Sequence, residues 1–308
     1  MPCTWLITGT TSGLGEALVR DVLSRGDNVI ASGRKVEERL GPRIAKSESL
    51  AFLELDITAS QQTIDAQVKK AWEMFGSIDV LVNNAGRTGF KSAEEADDTY
   101  IDQMFQVNLF GQMRMTRAIF PFFRAQGHGC VAFTSSSSAW GPLPFMSHYA
   151  ASKAALSTYV EALHKEGMPL GIRSVAIECG GMQTSLGQPR EEGEQTFVQP
   201  AVAGYLPLFG ELMDCFVKSG MDMMPGDVEK VARSMVDVIT RKGVAAGRPW
   251  TVRVPLGSDG WGYAAKKCEE HLQVLNDWKE ASFNTDRDGA AATATTLTHK
   301  FTTLVNLE

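Results

Sequence analysis

Cysteine is scarce in this chain of 308 residues, which holds five copies in all. They stand at Cys3, Cys130, Cys179, Cys215 and Cys268. No pair has the C-x-x-C spacing that zinc ribbons and redox motifs use, and the odd number argues against a disulfide framework. We therefore predict neither a metal site nor structural disulfide bonds.

Positive charge and long apolar runs are missing as well. The net charge is −6, and binding to nucleic acid needs clustered Lys and Arg, so we expect no nucleic-acid partner. The densest apolar patch, residues 119–123, is far shorter than the roughly 20 residues of a membrane-spanning helix. A signal peptide has no room before the first strand-like run at residues 5–9. We expect a cytoplasmic protein without an integral membrane segment.

Short runs rich in Val, Ile and Leu alternate with longer amphipathic segments. The runs that we predict as strands are residues 4–8, 28–32, 51–55, 80–83, 129–135, 172–178 and 250–254. Most are apolar throughout, which is typical of strands covered on both faces. The alternation of strands and helices predicts an α/β fold with a doubly wound parallel sheet of about seven strands and helices on both faces. No linker divides residues 1–283, so we predict one domain.

Three segments depart from this rhythm. Residues 185–225 are too long for a structureless loop and rich in Phe, Leu and Met, so we predict a substrate-binding lid. Residues 284–308 are small, polar and low in complexity, and we predict a flexible tail. Residues 259–282 have the pattern of an amphipathic C-terminal helix. Its stripe, which we predict to be buried, comprises Tyr263, His271, Leu272, Leu275 and Trp278.

Three glycines lie between the first predicted strand and the following helix. Gly9 permits a tight turn, Gly13 lets the backbone approach a phosphate, and Gly15 allows close packing of helix on strand. The helix N-terminus would add unpaired N–H groups and a positive dipole end. The spacing is G-x-x-x-G-x-G, not the dinucleotide fingerprint G-x-G-x-x-G, so an ordinary glycine-rich turn is the alternative. The residues that we predict to hold phosphate are Gly9, Thr11, Ser12, Gly13, Leu14 and Gly15.

The end of the second predicted strand indicates which nicotinamide cofactor is used. Enzymes that use NAD usually carry Asp or Glu there, which binds the ribose 2′-hydroxyl. This chain has Arg34 directly after Ser32 and Gly33. Because a guanidinium can pair with a 2′-phosphate, we predict NADP(H), with a solvated surface arginine as the alternative.

A tyrosine and a lysine share one face of a predicted helix. Tyr149 and Lys153 are four residues apart, so their side chains point the same way. Ser136 lies thirteen residues before the tyrosine, in a serine run at the end of the fifth predicted strand. Together, behind a phosphate-binding loop, the three residues predict an active site.

These motifs, in this order, resemble those of the short-chain dehydrogenases/reductases. The matching residues are Thr8-Gly9-x-x-x-Gly13-x-Gly15, Asp56-Ile57, Asn83-Asn84-Ala85-Gly86, Asn108, Ser136, Tyr149-x-x-x-Lys153 and Cys179-Gly180-Gly181-Met182-Gln183-Thr184. They extend over roughly residues 4–254, and as a set they are highly specific. The resemblance implies a Rossmann-type fold and a nicotinamide cofactor.

The resemblance also implies catalytic roles. Tyr149 would protonate the oxygen of a carbonyl that is reduced, or deprotonate an alcohol that is oxidised. Lys153 would favour the phenolate and hold the nicotinamide ribose, and Ser136 would hydrogen-bond the substrate oxygen. Asn108 would position a water that relays protons to Lys153. Proline usually stands where this chain has Cys179, and the loss of its fixed φ could loosen the loop at the nicotinamide, although catalysis should survive.

Further cofactor contacts follow from the same resemblance. On the adenosine side they are Asp56, Ile57, Asn83, Ala85 and Gly86. At the nicotinamide end they are Gly180, Met182 and Thr184. In this family, helices equivalent to those after Asp97 and Ser147 form a dimer interface, so a homodimer is implied, although the C-terminal helix leaves a monomer open.

The composition of the lid predicts a bulky apolar ketone or secondary alcohol as substrate, such as a steroid-like, retinoid-like or secondary-metabolite compound. Besides Ser136 and Tyr149, the candidate substrate contacts are Phe90, Trp140, Phe145, Tyr205 and Phe209. The leading hypothesis is an NADPH-dependent carbonyl reductase. A cofactor-assisted epimerisation or cyclisation, or a catalytically silent sensor of NADP(H), are the alternatives.

Overall fold

A computed structural model describes residues 2–188, 196–287 and 302, except for the side chains of residues 221 and 222. Within this part, one sheet of seven parallel strands has the order β3-β2-β1-β4-β5-β6-β7. The strands are β1 (Thr4–Thr8), β2 (Asn28–Gly33), β3 (Leu50–Glu54), β4 (Val80–Asn83), β5 (Gly129–Ser136), β6 (Ile172–Cys179) and β7 (Arg253–Leu256). The predicted doubly wound α/β fold is confirmed.

Helices cover both faces of the sheet. They are α1 (Gly13–Ser24), α2 (Val36–Leu40), α3 (Gln61–Phe75), α4 (Asp98–Phe105), α5 (Gly111–Gln126), α6 (Ser147–Gly167), α7 (Leu206–Ser219), α8 (Val228–Thr240), α9 (Ser258–Asp277) and α10 (Lys279–Phe283). Adjacent strand residues point to opposite faces, so Leu6 packs in the core under α3, α5 and α6 while Ile7 packs under α1 and α8. Two buried faces explain why the strands are apolar throughout.

The seventh strand begins later than the sequence predicts. Residues 250–254 form an apolar run, yet β7 is Arg253–Leu256. The run is nevertheless buried, with Trp250 at 8% exposure and Val252 at 1%. The Trp250 ring belongs to the buried core, and the guanidinium carbon of Arg173 covers it, 4.6 Å from the ring centroid. Val252 already accepts a hydrogen bond from the Ala176 N–H of β6 at 2.7 Å, so the run meets the sheet just before β7 begins and is buried by side-chain packing as well.

The C-terminal helix contradicts the prediction of a buried stripe. Leu272, Leu275 and Trp278 are 62%, 66% and 64% exposed, and Tyr263 is 37% exposed, while His271 is exposed too. The segment is helical as predicted, but no described element covers Leu272, Leu275 or Trp278, and the helix divides into α9 and α10 at Trp278. Of the predicted tail, residues 288–301 and 303–308 lie outside the described residues. Among the described helices, none is long and apolar enough to cross a membrane.

Because Phe133 is buried in the sheet and Leu275 on α9 is exposed, we expect their truncation to change the free energy of unfolding by very different amounts. Phe133→Ala removes a ring that is 0% exposed, and we expect a loss of about 3–5 kcal/mol in the free energy of unfolding. Leu275→Ala shortens an exposed side chain, and we expect a change within about 0.5 kcal/mol. Denaturant-induced unfolding measures both. A loss at Leu275 as large as that at Phe133 would show that α9 is covered in solution.

Candidate active site

A cleft of about 1480 Å³ opens at the carboxyl ends of the strands. It lies where the chain order of the sheet reverses, because β1 leads to β2 on one side and is paired with β4 on the other. This reversal is where doubly wound sheets bind ligands. Ligand pockets usually measure about 300–1,000 Å³, so the cleft has room for a dinucleotide and a second small molecule.

The glycine-rich loop fits a phosphate group. Gly9 has a φ of +69°, and a Cβ on it would lie 2.7 Å from the Cα of Ala85. A Cβ on Gly15 would lie 2.2 Å from the carbonyl oxygen of Gly9. The Ser12 side chain does not cap α1; instead its Oγ accepts a hydrogen bond from Ser185 at 2.8 Å. The N-terminal N–H groups of α1 are thus left for an anion.

Asn84 connects the loops that follow β1 and β4, a role that the sequence motif did not assign to it. Its Nδ2 donates to the carbonyl oxygens of Thr8 and Gly9 at 3.0 and 3.2 Å. Its backbone N–H donates to Thr8 Oγ1 at 3.0 Å, as does that of Ala85 at 3.1 Å. Asn83, by contrast, is buried and lies 3.5 Å from Thr116 Oγ1. The cleft lining includes Asn84, Ala85 and Gly86 but not Asn83, because adjacent side chains leave a strand on opposite faces.

Two arginines line the end of the cleft beside β2. Arg34 follows β2 and Arg39 lies on α2, and both border the cleft together with Thr11. Glu54, the nearest acidic residue on β3, is engaged elsewhere, because its carboxylate accepts from the N–H groups of Lys35 and Val36 at 2.6 and 3.2 Å.

Asp56 and Ile57 border the same end of the cleft. Asp56 Oδ1 accepts hydrogen bonds from the backbone N–H and the hydroxyl of Thr58, at 2.8 and 2.7 Å. This Asx turn fixes the loop after β3. Both residues therefore lie where the sequence predicts an adenosine contact.

Ser136, Tyr149 and Lys153 come together in the middle of the cleft. The Tyr149 hydroxyl is hydrogen-bonded to Ser136, yet burial dominates and raises the pKa of Tyr149 to about 12. Burial likewise lowers the pKa of Lys153 to about 8. The Lys153 ammonium donates to the carbonyl oxygen of Thr134 at 2.8 Å and lies 6.0 Å from the Tyr149 ring centroid. The cleft thus disfavours charge on both groups in the cofactor-free protein.

Asn108 lies in a π-helical turn, Gln106–Phe110, between α4 and α5. Its Oδ1 accepts from the Arg87 N–H at 2.9 Å, and its Nδ2 donates to the Arg87 carbonyl at 3.0 Å and to Ser152 Oγ at 3.0 Å. A Cβ on Gly86 would lie 3.5 Å from Asn108 Oδ1 and 3.6 Å from Lys153 Nζ. Asn108 Oδ1 and Lys153 Nζ thus both lie next to Gly86, but Asn108 is fully buried and does not itself line the cleft. Single π-helical turns of this kind are frequent at functional sites.

One wall of the cleft is apolar, although polar residues such as Arg87, Asp102 and Gln103 line it elsewhere. Phe90 belongs to it and stacks on Phe197, with ring centroids 4.6 Å apart. The described residues of the segment 185–225 that supply this wall are Leu186, Phe197, Met213, Phe216, Met223 and Met224. A mixture of Phe and Met side chains gives a wall that can adapt to different apolar ligands.

Four predicted substrate contacts do not line the cleft. Phe145 packs against Tyr205 and Phe209, with ring centroids 6.3 and 5.3 Å away, and this cluster stands behind the wall. Trp140 donates its indole N–H to Glu178 at 2.6 Å and is covered by the guanidinium of Arg253. The sequence pattern identified the aromatic residues but not which side of the wall they occupy.

The C-terminal helix contributes two residues that sequence analysis did not place in the site. Asp259 and Tyr263, in the first two turns of α9, both line the cleft. They are four residues apart and so share a helix face. Gly180, Met182 and Thr184, predicted from the family motif, line the cleft opposite the glycine-rich loop. Only the fold brings these segments together.

The buried lysine predicts a pH-dependent stability difference. Below pH 8 the folded protein must hold Lys153 protonated in an unfavourable site, so Lys153→Met should be more stable than the wild type by about 2–3 kcal/mol. Between pH 8 and 10 the folded state loses this proton while the unfolded state keeps it. Wild-type stability therefore rises relative to the variant, and the gap should narrow.

Chemical denaturation of the cofactor-free protein at several pH values measures this gap. Lys70→Met, which removes an exposed lysine of α3, is the matched control. A constant difference between wild type and Lys153→Met from pH 7 to 10 would contradict the lowered pKa of Lys153.

Comparisons with known proteins agree with this arrangement. The profile of the short chain dehydrogenase family matches residues 4–195. Oxidoreductase BOA17 of Botryotinia fuckeliana (strain B05.10) is 29% identical over 280 residues, covering 90% of this chain and 97% of that protein. The NADPH-dependent 1-acyldihydroxyacetone phosphate reductase of Saccharomyces cerevisiae is 30% identical over 187 residues, covering 60% and 63%.

A solved structure has the same fold over nearly the whole chain. The crystal structure of a short-chain dehydrogenase from Streptomyces avermitilis superposes with a TM-score of 0.78 and 27% identity, covering 92% of this chain and 98% of that one. The family profile, the sheet order and the meeting of the glycine-rich loop with Ser136, Tyr149 and Lys153 in one cleft show that the chain belongs to the short-chain dehydrogenase/reductase family and is an oxidoreductase of that type.

Proposed function

We propose that this protein reduces a carbonyl group on a bulky apolar substrate, or oxidises the corresponding secondary alcohol, with NADP(H). The observation that carries the proposal is the meeting of Ser136, Tyr149 and Lys153 between the glycine-rich loop and an apolar wall. A nicotinamide bound with its phosphates at α1 would supply or accept the hydride. The chain itself has to bind and orient the substrate and the cofactor, and it has to move a proton.

The proton passes through the Tyr149 hydroxyl. A carbonyl oxygen held between Ser136 and Tyr149 accepts a hydrogen bond from each, which stabilises the negative charge that develops as hydride arrives. Tyr149 then gives its proton to that oxygen, and the product is the alcohol. The phenolate would be reprotonated through Lys153, and we assign to Asn108, as the family resemblance implies, the water that feeds this step.

Burial raises the pKa of Tyr149 to about 12, so near neutral pH the hydroxyl is protonated and ready to donate to a developing alkoxide, whereas the phenolate that alcohol oxidation needs is scarcely populated in the cofactor-free protein. Positive charge on Lys153 and on an oxidised nicotinamide both favour the phenolate, so alcohol oxidation depends on these two charges.

The preference for NADP(H) rests on the charge at the adenosine end. Arg34 and Arg39 both border the cleft where a 2′-phosphate would lie, and the carboxylate of Glu54 is engaged by two backbone N–H groups. A guanidinium can pair with a phosphate through two hydrogen bonds. The yeast relative is named as NADPH-dependent, which supports the same assignment.

The substrate class and the assembly follow from apolar surfaces. Phe90, Phe197, Met213 and Phe216 give the pocket beside Tyr149 an aromatic and thioether wall, which suits a ring system or a long hydrocarbon chain. The described parts of the predicted lid, residues 185–188 and 196–225, supply much of this wall, and residues 189–195 lie outside the described part of the chain. We further propose a homodimer through the helices that follow Asp97 and Ser147, namely α4 with α5 and α6, as the family resemblance implies.

Tyr149→Phe tests the proton donor. The variant keeps the ring but has no proton to give, so we expect kcat for ketone reduction to fall at least about 10²-fold. The dissociation constant for NADPH should change less than threefold. Reduction is followed by loss of NADPH absorbance with a panel of bulky apolar ketones, and Tyr159→Phe, outside the cleft, is the matched control. Parent-level turnover by Tyr149→Phe would refute the assignment.

Arg34→Ala tests the cofactor preference. Loss of a charge-assisted contact to phosphate should reduce the ratio of kcat/KM with NADPH to kcat/KM with NADH by about tenfold or more. Arg39→Ala should lower the same ratio by a smaller factor, and Arg124→Ala, an exposed arginine of α5, should leave it unchanged. A wild-type preference for NADH would refute the role of both arginines without affecting Tyr149.

A further inference from the structure

A carboxylate from α9 reaches into the loop that follows β6. Asp259 Oδ2 accepts a hydrogen bond from the backbone N–H of Gly181 at 2.6 Å. One residue earlier, the Gly180 N–H donates to the carbonyl oxygen of Leu256 at 2.7 Å. On the other side, the Gly181 carbonyl accepts from the Gly226 N–H at 2.9 Å. The two glycines are thus held from both sides by residues far along the chain.

The surroundings of this carboxylate require glycine. A Cβ on Gly180 would lie 2.1 Å from Asp259 Oδ1, and a Cβ on Gly257 would lie 2.7 Å from the same atom. A Cβ on Gly260 would lie 3.3 Å from the Gly180 nitrogen. Three glycines therefore leave the space that lets the start of α9 press against the loop.

Asp259 Oδ1 is buried and has no hydrogen-bond partner among the described residues. Burial of a carboxylate oxygen without a partner is unfavourable. An isolated surface aspartate would avoid this situation by rotating into solvent. The side chain stays because its other oxygen holds Gly181, so the contact restrains the loop.

We propose that Asp259 is a positioning residue that fixes Gly180 and Gly181 for contact with the nicotinamide end of the cofactor. The proposal rests on the proposed function of the cleft. Cys179 precedes these glycines, and unlike proline it leaves φ free to rotate. The sequence Cys179-Gly180-Gly181 does not restrict its own backbone. The hydrogen bond from the Gly181 N–H to Asp259 of α9 supplies that restraint.

Binding of two ligands distinguishes positioning from general stability. NADPH occupies both ends of a cofactor site, whereas 2′,5′-ADP carries only the adenosine end. We expect Asp259→Ala to raise the dissociation constant of NADPH about tenfold and that of 2′,5′-ADP less than twofold. Asp259→Asn keeps an acceptor oxygen for the Gly181 N–H and should raise the NADPH constant less than threefold. Asp277→Ala, at the exposed far end of α9, should change neither.

Amide hydrogen exchange of the cofactor-free protein tests the restraint itself. The Gly181 N–H should exchange at least about tenfold faster in Asp259→Ala than in the wild type or in Asp277→Ala. Unchanged exchange at Gly181, or equal weakening of NADPH and 2′,5′-ADP, would overturn the proposal.

The two proposals fail in different ways. If the wild type binds neither NADPH nor NADH, the proposed function fails. If it binds NADPH and Asp259→Ala binds NADPH equally well, only the role of Asp259 fails. If the wild type prefers NADH, the same comparison is made with NADH and 5′-AMP, and the same fold-changes are expected.

Discussion

The geometry of the cleft depends on the hydrogen bonds between Thr8 and Asn84. The connections after β1 and β4 leave toward opposite faces of the sheet, which opens the crevice between them. The two loops that border the crevice, after β1 and after β4, therefore need contacts that hold them together. The Asn84 amide donates to the carbonyls of Thr8 and Gly9, and the Thr8 hydroxyl accepts from Asn84 and Ala85. These contacts hold the two loops so close that no side chain fits at Gly9. The glycine-rich loop and the residues proposed for catalysis are thereby placed at one edge of the sheet.

A second polar network holds the catalytic helix against the sheet. Ser135 Oγ lies within hydrogen-bond distance of two acceptors, the Lys153 carbonyl oxygen at 3.2 Å and Ser157 Oγ at 2.9 Å. Ser157 donates to Glu178 at 2.8 Å, and Arg253 pairs with the same carboxylate at 2.6 Å. Glu178 is fully buried, and loss of one partner would leave an uncompensated charge. The network therefore fixes α6 on β5 and β6, from which Lys153 and Ser136 enter the cleft.

Motifs at strand ends were the predictable part of this molecule. Because parallel strands all finish at one edge of a sheet, the glycine loop, Asp56, Ser136 and Gly180 had to meet once the strands were recognised. Which of Asn83 and Asn84 lines the cleft was harder to predict, because it depends on the residue at which β4 ends. The aromatic character of Trp140 suggested a substrate contact. Its indole N–H instead donates to the buried carboxylate of Glu178, a contact that the sequence does not indicate.

The contribution of α9 was beyond sequence reasoning because it combines two opposite properties in one helix. Its periodic apolar stripe suggested a buried element, yet the stripe is exposed. The first turn, which carries Asp259 and Gly260 and has no apolar stripe, is the part that packs against Gly180 and Gly181. The interaction needs glycines at positions 180, 257 and 260 to coincide in space, and residues nearly eighty apart give no local signal of that. The end of the cleft at the glycine-rich loop is thus built by local motifs, whereas the end at Gly180 and Gly181 is completed by a distant helix. The proposed contact of these glycines with the cofactor therefore depends on how α9 packs.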